Sequence, residues 1–498
     1  MARRGVRSER VRSLNQAEVR ADGDYILYWM VASRRLGWSH SLDRALEHAR
    51  ALSKPLLVFE PLDVGYRWAS DRLHQAIVDG MREHMATLAT RGVGYFPYLE
   101  PTPGAGRGLL EVLSARACVV VTDDSPVFFT PKLLAAAARV ATCRVEAVDS
   151  CGLLPLGEVD RVFVSAHQFR RFLQRVLPER LGEMPEADPL GAARLPSFRG
   201  VPKEIEGRWP PASAADLATR RTMASLPIDH GVPATAWQGG HAAARLALDR
   251  FLASGLARYA EDRNHPDAGA ASGLSAWLHF GHLSAHEIFH AVVEAEEWSP
   301  VRISPKADGR RSGWWGMSAG AEAFLDQLVT WRELGFAFAT RHPAFDRYES
   351  LPAWARATLE EHASDPHAHT YSLEQFAAAA THNEIWNAAQ RQLVEDGVIH
   401  NYLRMLWGKK ILEWTEHPEE ALDVMVELNN RFALDGRDPN SYSGIFWILG
   451  RFDRGWPTRP IYGKVRSMSS TATRRKVKLT AYLDRYGDGA RKSSEPLV

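Results

Sequence analysis

Residues 25–62 read YILYWMVASRRLGWSHSLDRALEHARALSKPLLVFEPL. An apolar run at Tyr25–Met30, an amphipathic stretch at Ser41–Ser53 and a second apolar run from Pro55 spell strand, helix, strand. The alternation continues outward through DRLHQAIVDGMREHMATLATRG, VGYFPYLE, GRGLLEVLSARA, CVVVTDD, PKLLAAAARVA and CRVEAVD. Repeats of this kind predict a doubly wound parallel sheet of Rossmann-like α/β type over residues 24–185. No G-x-G-x-x-G follows the first strand, so ordinary dinucleotide binding is unsupported. A ligand site at the carboxyl ends of the strands stays open.

Residues 186–240 are rich in Pro, Gly, Ala and Ser (RWPPASAADLA, PIDHGVPATAWQGG) and show weak periodicity, as an inter-domain linker would. From 241 to 487 the pattern is helix after helix, with little strand signal, which predicts an all-α second domain. The basic N-terminus MARRGVRSERVRS has no apolar segment behind it, so it is no secretory signal. Residues 1–23 are expected to be a disordered arm and 488–498 a tail.

The 498 residues carry 61 Lys and Arg against 60 Asp and Glu, a formal net charge of +1. The whole molecule therefore has no bulk polyanion-binding charge, and a nucleic-acid surface must be a local patch. No apolar run is long enough to span a bilayer. The three cysteines, Cys118, Cys143 and Cys151, lack C-x-x-C spacing and fit a reducing cytoplasm. The expectation is a cytoplasmic monomer, without membrane or metal.

His286–His290 spell H-E-x-x-H, a zinc-hydrolase signature. A third ligand is missing at metzincin spacing, where Val293 replaces glycine, and Glu294, Glu296 and Glu297 crowd too close for a distant glutamate. The better reading is a solvated helix face. Upstream, SGLSAWLHFGHLSA (Ser272–Ala285) offers small residues and two hydroxyls before a helix, which suits a phosphate held on backbone N–H groups.

That loop resembles the flavin-diphosphate loop of the photolyase and cryptochrome family. The likeness continues in YILYWM, GLSAWLHFG, WNAAQ, LRMLWGKKILEW, LDGRDPN and GKVRSM, and so spans nearly the whole chain. Together these segments resemble the class II cyclobutane pyrimidine dimer photolyases. The resemblance implies an FAD-binding helical domain, an α/β domain able to hold a deazaflavin or folate antenna, and light-driven electron transfer that splits pyrimidine dimers in UV-damaged DNA.

Trp407 and Trp414 lie seven residues apart, about 10 Å along one helix face, and Trp386 precedes Trp407 by 21 on the preceding helix. Alone, such residues read as core. The resemblance makes them a photoreduction row: Trp407 nearest the flavin, then Trp386, then Trp414 at the surface. It also implies that Asn429 faces flavin N5 and that Arg404 and Asp435 pair beside the isoalloxazine. Tyr259, Ser272, Gly273, Leu274, Ser275, Arg332 and Asn401 become further flavin contacts, with Asn401 standing where class II sequences more often have glycine. Trp331, Met405 and Trp447 become walls of the lesion pocket, since a base must leave the stack to be reacted on. Arg454 and Trp456 become residues inserted into the duplex, in a loop one residue shorter than the family pattern. Lys464 and Arg466, with Arg474, Arg475, Lys476 and Lys478, form a local basic stretch able to meet phosphates.

The family's active-site glutamate aligns with Gln327. A glutamine amide still donates a hydrogen bond to a thymine carbonyl but cannot share a proton with a radical anion, and Asp326 next to it could compensate after a shift of helix register. The departure motivates an alternative, a cryptochrome-like blue-light receptor with weak or no repair. A zinc hydrolase stands as a remote third reading.

Overall fold

The computed structural model describes residues 5–191, 193–218 and 220–489. The chain divides into two compact units. The first comprises Met1–Asp160, Glu179–Leu246 and Leu274–Ala291; the second comprises Arg161–Pro178, Ala247–Gly273 and Val292–Val498.

The first unit is built on a six-stranded sheet: β1 (Val11–Ser13), β2 (Tyr25–Trp29), β3 (Leu56–Leu62), β4 (Gly94–Leu99), β5 (Ala117–Asp123) and β6 (Arg144–Val148). Its order is β1-β6-β5-β2-β3-β4. Every pairing is parallel except that of β1 with β6. Side chains alternate across a strand. Tyr25, Leu27 and Trp29 thus pack with Leu109 and Leu134 on one face, while Ile26, Tyr28 and Met30 pack with Leu42 and Leu46 on the other. The helix His40–Leu52 begins where Ser39 Oγ accepts from the Leu42 N–H at 3.3 Å.

The strand order reverses between β2 and β5, where doubly wound folds place their ligands. Here Asp123, 1% exposed, fills that crevice. Its Oδ2 accepts from the N–H groups of Val31, Ala32 and Ser33 at 2.8–2.9 Å, and the Tyr28 hydroxyl donates to Oδ1 at 2.9 Å. On β3, Glu60 is fully buried and accepts from Arg34 Nη1 at 2.8 Å and the Tyr95 hydroxyl at 2.7 Å, with His84 Nδ1 at 2.8 Å. Burial works to raise the Glu60 pKa, but His84 and Arg34 outweigh it and carry the carboxyl down to about 2.

The boundaries differ from the sequence-based expectation: Arg161–Pro178, expected in the α/β domain, belongs to the second unit, and residues 241–246 and Leu274–Ala291, expected in the helical domain, to the first. The arm expected to be disordered holds β1, and the guanidinium of the buried Arg10 donates to the carbonyls of Gly152 and Leu153 at 3.1 and 2.8 Å. Charge content suggested a disordered arm, but a ladder of backbone bonds and a buried arginine that donates to two carbonyls pin this segment; residues 1–4 lie outside the described residues. The segment 186–240 is likewise no free linker. Leu190, Trp209, Leu217, Met223 and Leu226 are buried in the first unit's cores, and 203–208 and 214–218 are helical. Residues 490–498 of the expected tail lie outside the described residues.

The second unit is helical. The elements that matter below are Ala166–Val176, Ala319–Leu325, Arg332–Arg341, Glu384–Asp396, Asn401–Trp414, Pro418–Phe432 and Pro439–Ile448. Between Ala319–Leu325 and Arg332–Arg341 the chain widens into a π turn, Asp326–Trp331. A Cβ on Gly408 would sit 2.1 Å from Ile448 Cδ1, so glycine there lets Asn401–Trp414 and Pro439–Ile448 approach closely. Among the described residues no helix is long and apolar enough to cross a membrane.

Candidate functional site

Asn383 Oδ1 caps the helix Glu384–Asp396 by accepting from the Trp386 N–H at 3.1 Å, which fixes Trp386 in the first turn. The Trp386 ring lies 6.5 Å from that of Trp407 with planes 5° apart, and 6.0 Å from that of Trp414 at 66°. Trp407 Nε1 donates to Gln390 Oε1 at 2.8 Å. The three indoles thus form one row with Trp386 in the middle, the order expected from the sequence.

The exposure of its end differs from expectation. Trp386, Trp407 and Trp414 are 0, 2 and 3% exposed, so Trp414 is not at the surface. It is covered by the half-buried Tyr371, 5.6 Å away and edge-on, and by the exposed His382 at 5.0 Å. The Tyr371 hydroxyl and His382 Nδ1 are 2.6 Å apart. Helical spacing located the indoles but could not show that a loop 43 residues before Trp414 in the chain closes over it.

The Arg404–Asp435 pair is present, with Nη2 2.8 Å from Oδ1, while Arg404 Nε is buried without a partner. Asn429 is buried, and its Nδ2 donates to Ser441 Oγ at 2.7 Å and to Asn430 Oδ1 at 3.3 Å. Tyr259 is buried edge-on against Phe251 and Phe324, with the Arg263 guanidinium 5.5 Å from its ring, and burial raises its phenol pKa. Arg332 is buried with its guanidinium 4.4 Å from the Phe336 ring. Asn401 is exposed as the first residue of its helix. Ser272 and Gly273 end the segment Ala247–Gly273, and Leu274 and Ser275 open the helix Ser275–Phe280 with no side-chain cap.

Gln327 and Trp331 both project, half-buried, from the π turn, a distortion that often marks functional positions. Asp326 is not free to stand in for Gln327. Arg170 holds it at 2.7–2.8 Å, also donating to the Gly309 carbonyl at 3.2 Å, so a register shift would leave a buried guanidinium unpaired. Met405 is half-buried.

Trp447 is half-buried and flanked by two cations, Lys409 Nζ 5.2 Å and the Arg466 guanidinium 5.4 Å from its ring. Arg466 also lies 4.1 Å from the Trp456 ring, over which Arg454 sits at 5.3 Å, and it pairs with Asp453 at 3.2 Å. Arg466, expected to meet phosphates, is therefore engaged by two indoles and a carboxylate. Lys464, Arg475, Lys476 and Lys478 are exposed, and Arg474 pairs with Glu384 at 2.5 Å. Lys409 is fully buried, donates to the Ile448 carbonyl, and has its pKa drawn down to about 7 by burial.

The H-E-x-x-H segment is not a solvated face. His286 and Glu287 are buried, the first with its ring 5.0 Å from that of His40, the second accepting from His241 at 2.9 Å with Arg245 3.7 Å away. The His290 ring lies 5.0 Å from that of Trp38. The three side chains go to three different neighbours.

No family model matches the chain. A deoxyribodipyrimidine photo-lyase of Methanothermobacter thermautotrophicus is 31% identical over 481 residues, covering 96% of this chain and 98% of the relative. One from Oryza sativa subsp. japonica is 34% identical over 478 residues, covering 93 and 87%. The crystal structure of a bacterial class III photolyase from Agrobacterium tumefaciens shares the fold with a TM-score of 0.66 at 17% identity, over 93% of this chain and 86% of that one.

Proposed function

This chain belongs to the photolyase/cryptochrome family, and from that premise we propose that it is a class II-type, FAD-dependent photolyase that splits cyclobutane pyrimidine dimers in UV-damaged DNA, acting as a cytoplasmic monomer. The observation that carries the reading is the buried row of Trp407, Trp386 and Trp414 in a chain that matches photolyases along nearly its whole length.

The residues fit a flavin. Arg404 offers an unsatisfied Nε beside its pair with Asp435, and Asn429 presents a buried neutral amide whose nitrogen is already engaged by Ser441. Arg404, Asp435 and Asn429 would hold the ring, with Tyr259, Arg332, Asn401 and the Ser272–Ser275 loop as further contacts. Reduced flavin, when bound, supplies the photoexcited electron that opens the cyclobutane ring.

The chain's own residues do the rest. Trp331, Trp447 and Met405 wall a flipped dimer, while Arg454 and Trp456 fill the gap left in the duplex. Gln327 donates an amide N–H to a thymine carbonyl. The indoles pass an electron inward from Trp414 through Trp386 to Trp407 and take no part in bond cleavage. Exposed Lys464, Arg475, Lys476 and Lys478 meet backbone phosphates. In the first unit, Tyr66, Trp68, Phe128 and Phe129 cluster beyond β3 and β5 with neighbouring rings 4.6–5.9 Å apart, which suits a deazaflavin or folate antenna.

The test is to illuminate the chemically reduced protein with a dimer-containing single-stranded oligonucleotide and follow thymine absorbance. Recovery supports repair. No recovery, with flavin photoreduction intact, favours the blue-light receptor that Gln327 motivates.

A further inference from the structure

We propose that Arg451 and His342 form an anion site that takes a backbone phosphodiester of bound DNA. The proposal rests on the DNA-repair reading and adds to it a contact that the family resemblance did not supply.

The helix Pro439–Ile448 ends in a turn in which the Gly450 N–H donates to the Trp447 carbonyl and the Arg451 N–H to that of Phe446, both at 3.0 Å, with Gly450 at φ 106°. In this type of helix end the residue after the left-handed glycine is commonly apolar and packs on the last turn. Here it is an arginine, 6% exposed. Phe452, the next residue, has φ 64°, a strained conformation for an aromatic side chain. Two left-handed residues thus bracket Arg451 and turn its side chain inward.

The guanidinium stacks 4.3 Å from the Phe338 ring and 5.7 Å from that of Phe452. Its Nε is buried without a partner, no ion pair among the described residues holds the guanidinium, and burial draws its pKa to about 10. His342 shares the aromatic surface, with its ring 5.3 Å from Phe338 and its Nδ1 buried and unpartnered. Burial first, then the charge of Arg451, lowers the His342 pKa. The His342 side chain is half-exposed, which gives the pair an opening to solvent.

A desolvated guanidinium and an imidazole on one aromatic platform, with no acid beside them, are complementary to a phosphate group. The guanidinium fork matches two phosphate oxygens, and an anion there would favour protonated His342 as a second donor. Phosphodiester is the form the proposal commits to, because Arg451 stands three residues before Arg454, in the turn that leads into the loop proposed to enter the duplex. Free inorganic phosphate shares the chemistry and is a separate arm of the test.

The flavin-loaded full chain is titrated with undamaged and dimer-containing duplexes over a range of salt, as wild type, Arg451→Met and Arg451→Lys, with folding checked by circular dichroism. Arg451→Met is expected to weaken both duplexes by a similar factor and to reduce the log–log salt slope by about one. Arg451→Lys, which keeps the charge and loses the fork, should fall between. In wild type, duplex binding should raise the His342 pKa measured by NMR. Unchanged affinity and slope in both variants overturn the proposal. So does a His342 shift produced by inorganic phosphate and not by duplex. A wild type that binds duplex with the expected slope yet restores no thymine absorbance overturns the repair reading alone.

Discussion

Trp386 donates through Nε1 to the backbone carbonyl of Trp407, 3.0 Å away, the very residue on which its ring is stacked. The contact locks two helices and fixes the spacing of two indoles with one bond. Neighbouring ring centroids in the row are 6.5 and 6.0 Å apart, so no other side chain stands between them.

Trp407→Phe should therefore block photoreduction of oxidised flavin while chemically reduced protein still repairs. The substitution leaves the buried Gln390 Oε1 without its donor, a cost of roughly 1–3 kcal/mol, below the stability of a typical domain. Photoreduction under steady blue light and repair after dithionite reduction check it; equal loss of both would make Trp407 structural.

Gln327→Glu should raise the repair yield. The side chain is half-buried on the π turn, beside an aspartate already committed to Arg170, so a new carboxyl group there has no competing cation from Asp326's partner. Thymine absorbance recovered per photon is the measurement, and a lower yield would place Gln327 away from the dimer.

Lys409→Met should stabilise the protein at pH 7 and below. The folded pKa is about 7 against about 10.4 unfolded, so the unfolded state binds more protons between those values and wild-type stability rises with pH there. The penalty is of order 4 kcal/mol at pH 7 and below, and vanishes near pH 10.4. Urea unfolding of both proteins at pH 7 and pH 10 should show the variant's advantage shrinking; a constant difference would refute the assignment.

Glu60→Gln should destabilise by roughly 3–5 kcal/mol, because Arg34 would remain buried without its counter-charge. In wild type the Glu60 pKa is depressed, so its contribution is complete above the unfolded value near 4.3 and is lost as pH falls through about 2. Acid unfolding followed by circular dichroism should begin at higher pH in the variant, and an unchanged onset would refute the contribution of the pair.

The sheet was legible because buried parallel strands write continuous apolar runs, as at Tyr25–Trp29 and Ala117–Asp123. The indole row was legible through helical spacing and resemblance, and so was the partner of Arg404. What escaped was long-range. The edge strand Val11–Ser13 is short and basic, and its partner lies more than 130 residues away. Residues 186–240 look like linker because irregular chain covering a core carries little periodicity. The burial of Trp414 under Tyr371, the capture of Asp326 by Arg170 and the stacking of Arg466 between two indoles each depend on a neighbour that spacing along one helix cannot reveal.

Asp123 behaves as a tethered competitor. Its carboxylate occupies the three amide donors that a nucleotide's pyrophosphate would seek, and tethering gives it an effective concentration of order millimolar or higher at no diffusional cost. A soluble phosphate ester would have to evict it. A ligand seated at these strand ends would then have to be held through ring faces and shape.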